Sequence, residues 1–449
     1  MLSSELKLDG LSEQLSPLWG NAKNLISKQQ TAILAVSGGP DSMAMLVGFA
    51  ILRASGMCDT QFLVATVDHD LREGSADDVA LVMKVAKLFG LPVVANRLSP
   101  EKRQGNLHDW ARRSRYSFFA RLSAAASNAP ILTAHTQDDQ AETFLMRAAR
   151  GTGADGLSAI RSSIVIESQP VLRPFLTWPK QVLRDTLQIA GVQAAIDPSN
   201  NDARFTRSRF RRWLEAAPRP DSGRSIVAGF AESAIIAQQE AEALRHYAQA
   251  SVDRIIGMER GYACGPLDRS VPSVVLARAV KMLVDGIRRK DEPAQQLDLA
   301  RALWVAQRLS EEETGAWVGC GAALRWGKAK GTNVSPQHAH IELYAEAGRS
   351  GFPSQTFKAD ENGIWDHRFA VINGSSQPVM IRPWSPELAP SGGASPHSPT
   401  GLSNRVARSL PVACSLDDGQ RMIAAPWGLE AVFGIPKNDE VSIRFGVVR

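Results

Sequence analysis

The chain predicts a doubly wound α/β domain with a parallel sheet, followed by a helical domain and a small α+β C-terminal domain. Three observations carry this. Through the first half, short β-like runs alternate with helical patterns; from about residue 225 apolar residues recur at helical spacing with almost no β signal; past about residue 314 short β-like runs are separated by Gly, Pro and Ser. Strands alternating with helices imply parallel βαβ units with right-handed crossovers, hence a sheet covered on both faces. The chain has 449 residues, 44% of them hydrophobic, enough for two or three buried cores. The expected divisions are 1–218, 219–313 and 314–449.

In order, residues 32–36 read as a strand leading to a helix from about Asp41, 62–67 as a strand before a helix from about Ser75, and 92–97 as a strand before one from about Leu107. Residues 131–134 continue the series, and the helix after His135 should bury Ala141, Phe144, Leu145 and Ala148 and stop at Gly151. The proline-rich, basic stretch 218–224 reads as a linker, with helices expected over 225–254 and 271–309. Strands are expected over 364–372, 379–381, 422–424 and 441–445, and a mobile loop over 385–403, which is rich in Pro, Ser and Gly.

Composition narrows the function class. No apolar run approaches the roughly 20 residues that cross a bilayer, and Glu5, Lys7, Asp9 and Glu13 interrupt any signal-peptide core, so the expected location is the cytoplasm with no membrane partner. Cys58, Cys264, Cys320 and Cys414 form no C-x-x-C pair, which suggests neither a zinc site nor a disulfide framework. The net charge of +5, with clustered arginines, permits a polyanionic partner such as nucleic acid.

In doubly wound sheets a ligand sits beyond the carboxyl ends of the strands, near the switch in strand order. Three polar clusters fall there. The first, Ser37-Gly38-Gly39-Pro40-Asp41-Ser42, follows a strand and opens a helix; its glycines let backbone N–H groups converge on an anion, and the helix N-terminus adds partial positive charge. The lysine of G-x-x-x-x-G-K-[ST] is absent, and Asp41 beside phosphates implies a bridging metal ion. An ordinary capped turn is the plainer alternative. The second cluster, Asp68-His69, contacts a nucleotide or merely makes a turn. In the third, Asp138, Asp139 and Glu142 stand three and four apart on one helix side, a grouping that suits Mg²⁺ on nucleotide phosphates, although acids at a helix start also complement its dipole. Arginines at Arg112, Arg113 and Arg115, and at Arg204, Arg207, Arg209, Arg211 and Arg212, with Tyr116, Phe205, Phe210 and Trp213 interleaved, suggest a nucleic-acid face.

The hexapeptide resembles the S-G-G-x-D-S loop of the N-type ATP pyrophosphatases, which have the adenine nucleotide alpha hydrolase-like fold. Residues 68–72, 111–116, 135–143, 150–157, 172–174 and 197–200 occur in the order seen in the tRNA(Ile)-lysidine synthetase family, which the chain resembles over about 32–212. Thr136 stands where many members carry a second histidine, and Ser208 where asparagine is common. The resemblance implies an AMP-forming ligase that makes a carbon–nitrogen bond: ATP adenylates the C2 oxygen of the wobble cytidine in a CAU-anticodon tRNA(Ile), and free L-lysine displaces AMP. It implies ATP and Mg²⁺ as cofactors and leaves a homodimer open. Ser37, Gly38, Gly39, Pro40, Asp41, Ser42, Asp68, His69 and His135 are then the ATP and pyrophosphate residues, Asp41, Asp139 and Glu142 the catalytic and Mg²⁺-binding ones, and Arg112, Arg115, Arg207 and Arg211 the tRNA-binding ones. The alternatives are another adenylating enzyme acting on tRNA, such as a thiolation enzyme, and an inactive RNA-binding relative.

Overall fold

Ala32, Ile33 and Leu34 are all fully buried, which places their strand, β1 (Thr31–Ala35), in the middle of a sheet. The computed structural model describes residues 19, 26, 29–70, 74–99, 107–195, 206–217, 225–288, 296–328, 337–346, 351–385, 388, 403–416, 422–425 and 443–447. The expected linker at 218–224, the motif stretch 197–200 and nearly all of the loop expected at 385–403 lie outside the described residues.

After β1 come α1 (Pro40–Ala54), β2 (Gln61–Asp68), α2 (Ser75–Leu88), β3 (Val93–Arg97), α3 (Leu107–Ala125), β4 (Ile131–Leu132) and α4 (Gln137–Ala148). A short α5 (Ala154–Leu157), β5 (Ser163–Ile166), β6 (Gln169–Leu172), α6 (Lys180–Ala190) and α7 (Thr206–Ala216) follow. The sheet order is β3-β2-β1-β4-β6-β5. Every pairing is parallel except that of the edge strand β5 with β6. The chain thus runs outward from β1 through β2 and β3, then returns to lay β4 on the other side of β1. That reversal is the switch point of a doubly wound sheet, and the expected fold class is the observed one.

Alternating residues of β1 feed opposite faces, as the two-residue period of a strand requires. Ala32 and Leu34 join α1, Phe62, Phe175, Trp178 and Trp19, whereas Ile33 joins Ala65, Ile131 and Val171 against Tyr116, Phe118 and Phe119 of α3. Trp19 packs edge-on against Phe49, Phe175 and Trp178 at ring distances of 5.2, 5.1 and 5.4 Å. A Cβ at Gly48 would lie 2.1 Å from its ring, so only glycine lets α1 approach this closely. In α4 the buried residues are Gln140, Ala141 and Glu142, not the full stripe expected, and Ala148 is exposed: the helix is held by its polar first turn.

The chain divides into two compact units, Met1–Ala241 and Glu242–Arg449. In the second, the end of α8 (Ile226–Val252) precedes β7 (Tyr262–Asp268), α9 (Ser273–Ile287) and α10 (Leu299–Glu311), followed by β8 (Gly315–Gly319), β9 (Ala322–Gly327) and β10 (His338–Ala345). β7 pairs antiparallel with β10, giving the order β7-β10-β9-β8. The helices expected before residue 313 therefore share one core with strands from beyond it. Two smaller antiparallel sheets follow among the described residues of this unit. One joins β11 (Gln355–Phe357), β14 (Val379–Pro383), β15 (Pro411–Ser415) and β16 (Met422–Ala424); the other joins β12 (Asn362–Trp365), β13 (Phe369–Asn373) and β17 (Ile443–Val447). The strand expected over 364–372 is instead a hairpin, because Asp366 and His367 turn the chain with φ of 49° and 55°. Among the described residues no helix is long and apolar enough to cross a membrane.

Candidate active site

The loop between β1 and α1 is shaped by its own hydroxyls. Ser42 Oγ donates to the Gly39 carbonyl at 2.9 Å and accepts from the Ser37 N–H at 3.1 Å, with Ser37 Oγ 3.2 Å away. Pro40 opens α1, where its missing N–H costs no hydrogen bond and its fixed φ suits the helix. Gly38 adopts φ +86°, and a Cβ there would lie 3.1 Å from Asp78 Cβ and 3.3 Å from the Asp78 carbonyl on α2. Backbone sign and space both demand glycine at that position.

Beyond the carboxyl ends of β1, β2 and β4 lies a cavity of about 460 Å³. Ser37, Gly39, Pro40, Asp41 and Ser42 form one wall; His69 enters from β2, and His135 and Asp139 from β4 and α4. Arg115, Lys180, Arg207 and Arg211 bring cations from three helices, α3, α6 and α7. The sequence reading missed Lys180, whose Nζ lies 2.9 Å from Asp41 Oδ2; no motif surrounds it, and Pro179 before it signals only a helix start.

Other expected site residues stand outside this lining. Asp68 Oδ1 accepts from the Asp70 N–H at 2.9 Å and the Ser75 hydroxyl at 2.7 Å, so this carboxylate ties the end of β2 to the first residue of α2. The Arg112 guanidinium lies 5.0 Å over the Tyr116 ring. Glu142 is 2% exposed, gripped by Arg207 Nε at 2.6 Å through one oxygen and by Arg211 Nε at 2.6 Å through the other. Arg207 Nη2 also binds Asp139. The arginines expected to face phosphates thus face the carboxylates expected to hold metal. Thr136 caps α4: its N–H donates to Asp139 Oδ2 at 2.8 Å and its hydroxyl to the same oxygen at 3.1 Å.

The electrostatics follow from burial and these partners. Burial pushes the Asp41 carboxyl up, against the pull of Lys180, and its Oδ1 is buried with no hydrogen-bond partner. Burial also pushes Asp139 up, but Arg207, His135 and the Thr136 N–H outweigh it and hold the carboxyl below its ordinary value. His135 is pushed down to about 4, chiefly by burial, with Arg173, Arg207 and Arg115 adding to the shift against Asp139; its Nδ1 lies 2.9 Å from Thr133 Oγ1. Burial, then Arg115, lowers His69.

Among the described residues no group of three or more His, Cys, Asp or Glu side chains forms a ready-made metal cage, so the trio Asp41, Asp139 and Glu142 does not converge as one. Mg²⁺ at polyphosphates needs less, one or two carboxylates with phosphate oxygens and water. Asp41, with an unpartnered buried oxygen, fits that role, and Asp139 shares the cavity wall.

The family model that matches the chain is a PP-loop domain, over residues 11–217. A tRNA(Ile)-lysidine synthase of Bradyrhizobium sp. is 41% identical over 181 residues, a match that covers 40% of this chain and 51% of that protein. The chain thus spans about half the length of that relative. Its namesake in Methylobacterium nodulans is 37% identical, covering 57% of this chain and 76% of the relative; in Ruegeria pomeroyi the values are 32%, 68% and 74%. With a phosphate loop at the switch point of a doubly wound sheet, and relatives above 30% identity matched over some three quarters of their length, the chain belongs to the tRNA(Ile)-lysidine synthase family.

Proposed function

We propose that this chain is an AMP-forming ligase that joins L-lysine to C2 of the wobble cytidine of a CAU-anticodon tRNA(Ile). The observation that carries the reading is the convergence of loop 37–42, His135, Asp139 and a set of cations on one cavity at the sheet's switch point. In the first step the cytidine C2 oxygen attacks the α-phosphorus of ATP, and the bond to pyrophosphate breaks. In the second the lysine ε-amine forms a C–N bond at C2, the oxygen leaves with AMP, and the amine gives up a proton.

The chain's residues have distinct tasks in this reading. The Ser37 and Ser42 hydroxyls and the first-turn N–H groups of α1, which lack intrahelical partners, receive the charge that develops on pyrophosphate. His135, neutral at physiological pH, donates or accepts a hydrogen bond without adding charge. Asp139 and Glu142 orient the incoming lysine ammonium. Arg115, Arg207 and Arg211 meet nucleotide or tRNA phosphates, and Arg112, outside the cavity, meets the tRNA backbone. Asp41 and Asp139 would hold Mg²⁺, which when bound screens the polyphosphate charge. The segments after residue 218 grip the tRNA body.

The test is to incubate the protein with ATP, Mg²⁺, L-lysine and unmodified CAU-anticodon tRNA(Ile), digest the RNA and analyse its nucleosides by mass spectrometry. A lysine-dependent lysidine peak, reduced roughly 10³-fold or more by Asp41→Ala, is the expected result. AMP and pyrophosphate without lysidine would transfer the chemistry to another acceptor, as in a thiolation enzyme; no ATP cleavage at all would leave an inactive RNA-binding relative.

A further inference from the structure

Loop 37–42 contains no lysine, yet an ammonium stands against it, supplied from 139 residues after Asp41. Lys180 is the first residue of α6. Its backbone N–H donates to Asp138 Oδ2 at 2.8 Å, the Gln137 N–H donates to the Trp178 carbonyl at 2.9 Å, and the Ala195 N–H donates to the Gly38 carbonyl at 2.9 Å. Both ends of the α6 segment are thereby tied to the site. Asp138 occupies the start of the helix, so what α6 offers the cavity is the side chain. An ammonium has three donors, and Asp41 Oδ2 takes one at 2.9 Å. The opposite oxygen of Asp41 is buried without a partner. Asp41 and Lys180 line the same cavity as Ser37, Gly39 and Ser42, which leaves an ammonium with further donors beside the N–H groups of an anion-binding helix start.

We propose that Lys180 is a phosphate-binding residue that contacts the β- and γ-phosphates of ATP, the part that leaves as pyrophosphate; this rests on the ATP reading above. Lys180 replaces, from a distant segment, the cation that the loop sequence lacks, and its bond to Asp41 holds it in place until nucleotide arrives. The experiment is calorimetric titration of the full chain, and of Lys180→Met, Lys180→Arg and the double variant Lys180→Met/Asp41→Asn, with ATP and separately with adenosine. A charge-assisted hydrogen bond to phosphate predicts an ATP Kd roughly 10- to 100-fold weaker in Lys180→Met, an adenosine Kd within about twofold of the parent, partial recovery in Lys180→Arg, and no recovery in the double variant. Equal weakening of ATP and adenosine would mark a structural lysine and overturn the proposal. So would an unchanged ATP Kd, or restoration of ATP affinity in the double variant, which would show that only the unpaired Asp41 charge mattered. A parent chain that binds no ATP would remove the ATP reading and this proposal together, an outcome distinct from the others.

Discussion

Two buried ion pairs invite comparison, one in each unit. Glu142, 2% exposed, is held by Arg207 and Arg211, whose side chains are 42% and 25% exposed. Asp366 is held by Arg368 at 2.7 Å, and both side chains are buried, at 0% and 3%. Arg368 also lies 5.0 to 5.7 Å over the rings of Phe352, Trp365 and Phe369 and donates to the Ser409 carbonyl. Both carboxylates are buried and arginine-bound, Glu142 through both oxygens and Asp366 through one; the larger difference is in what surrounds the cations. Around Glu142 they open onto a cavity at the strand ends of a parallel sheet, where water or a ligand can take over their charge. Around Asp366 they are sealed by aromatics beneath a hairpin turn. The lesson is that a buried carboxylate–arginine pair signals function only when topology gives the arginine somewhere to go.

The comparison is sharpest at Arg368→Ala. This leaves a carboxylate buried without its cation, so unfolding by denaturant should show a loss of about 3–5 kcal/mol, with ATP affinity unchanged; a normal midpoint or a weakened ATP Kd would break the contrast. Glu142→Gln should do the reverse. Its half-exposed arginines can be solvated, so stability should shift by no more than about 1 kcal/mol, while lysine-dependent turnover falls on the order of 10²-fold, measured by AMP release. Ser42→Ala removes the acceptor of the Ser37 N–H and the donor to Gly39, which should cost about 1–3 kcal/mol and weaken ATP roughly tenfold. At neutral pH the smallest effect is at His135, whose contribution changes only on acidification. Its folded value, about 4, lies below the ordinary 6.5, so the unfolded chain binds the proton first. Stability should therefore fall as pH drops from about 6.5 to about 4, level off below that, and be unaffected by this group above 6.5. His135→Gln should flatten that part of a denaturation profile, and imidazole resonances should show His135 neutral at pH 6.

Much of the first unit was legible because its signals are local. The apolar run ending at Ala35, the positive-φ glycine and the proline at the helix start specify the strand, loop and helix that hold Ser37 to Ser42, all within a few residues. The four expected strand–helix pairs formed within a few residues of their expected bounds. Asp68 shows the limit of such reading: a strand-end carboxylate suits a ligand or a turn, and in the structure its Oδ1 accepts from the Ser75 hydroxyl and the Asp70 N–H while His69 beside it lines the cavity. β7 was missed because seven residues between two helical stretches gain their partner from β10, some seventy residues later.

The sequence by itself determined the parallel sheet, the phosphate loop and the acids at the start of α4, because hydrophobic period, backbone sign and helix capping act between near neighbours. Tertiary structure alone decided which charges meet. Lys180 faces Asp41, and Arg207 and Arg211 grip Glu142, because sheet order brings α6 and α7 back to the strand ends. Coulomb attraction depends on distance through space and leaves no period in the chain.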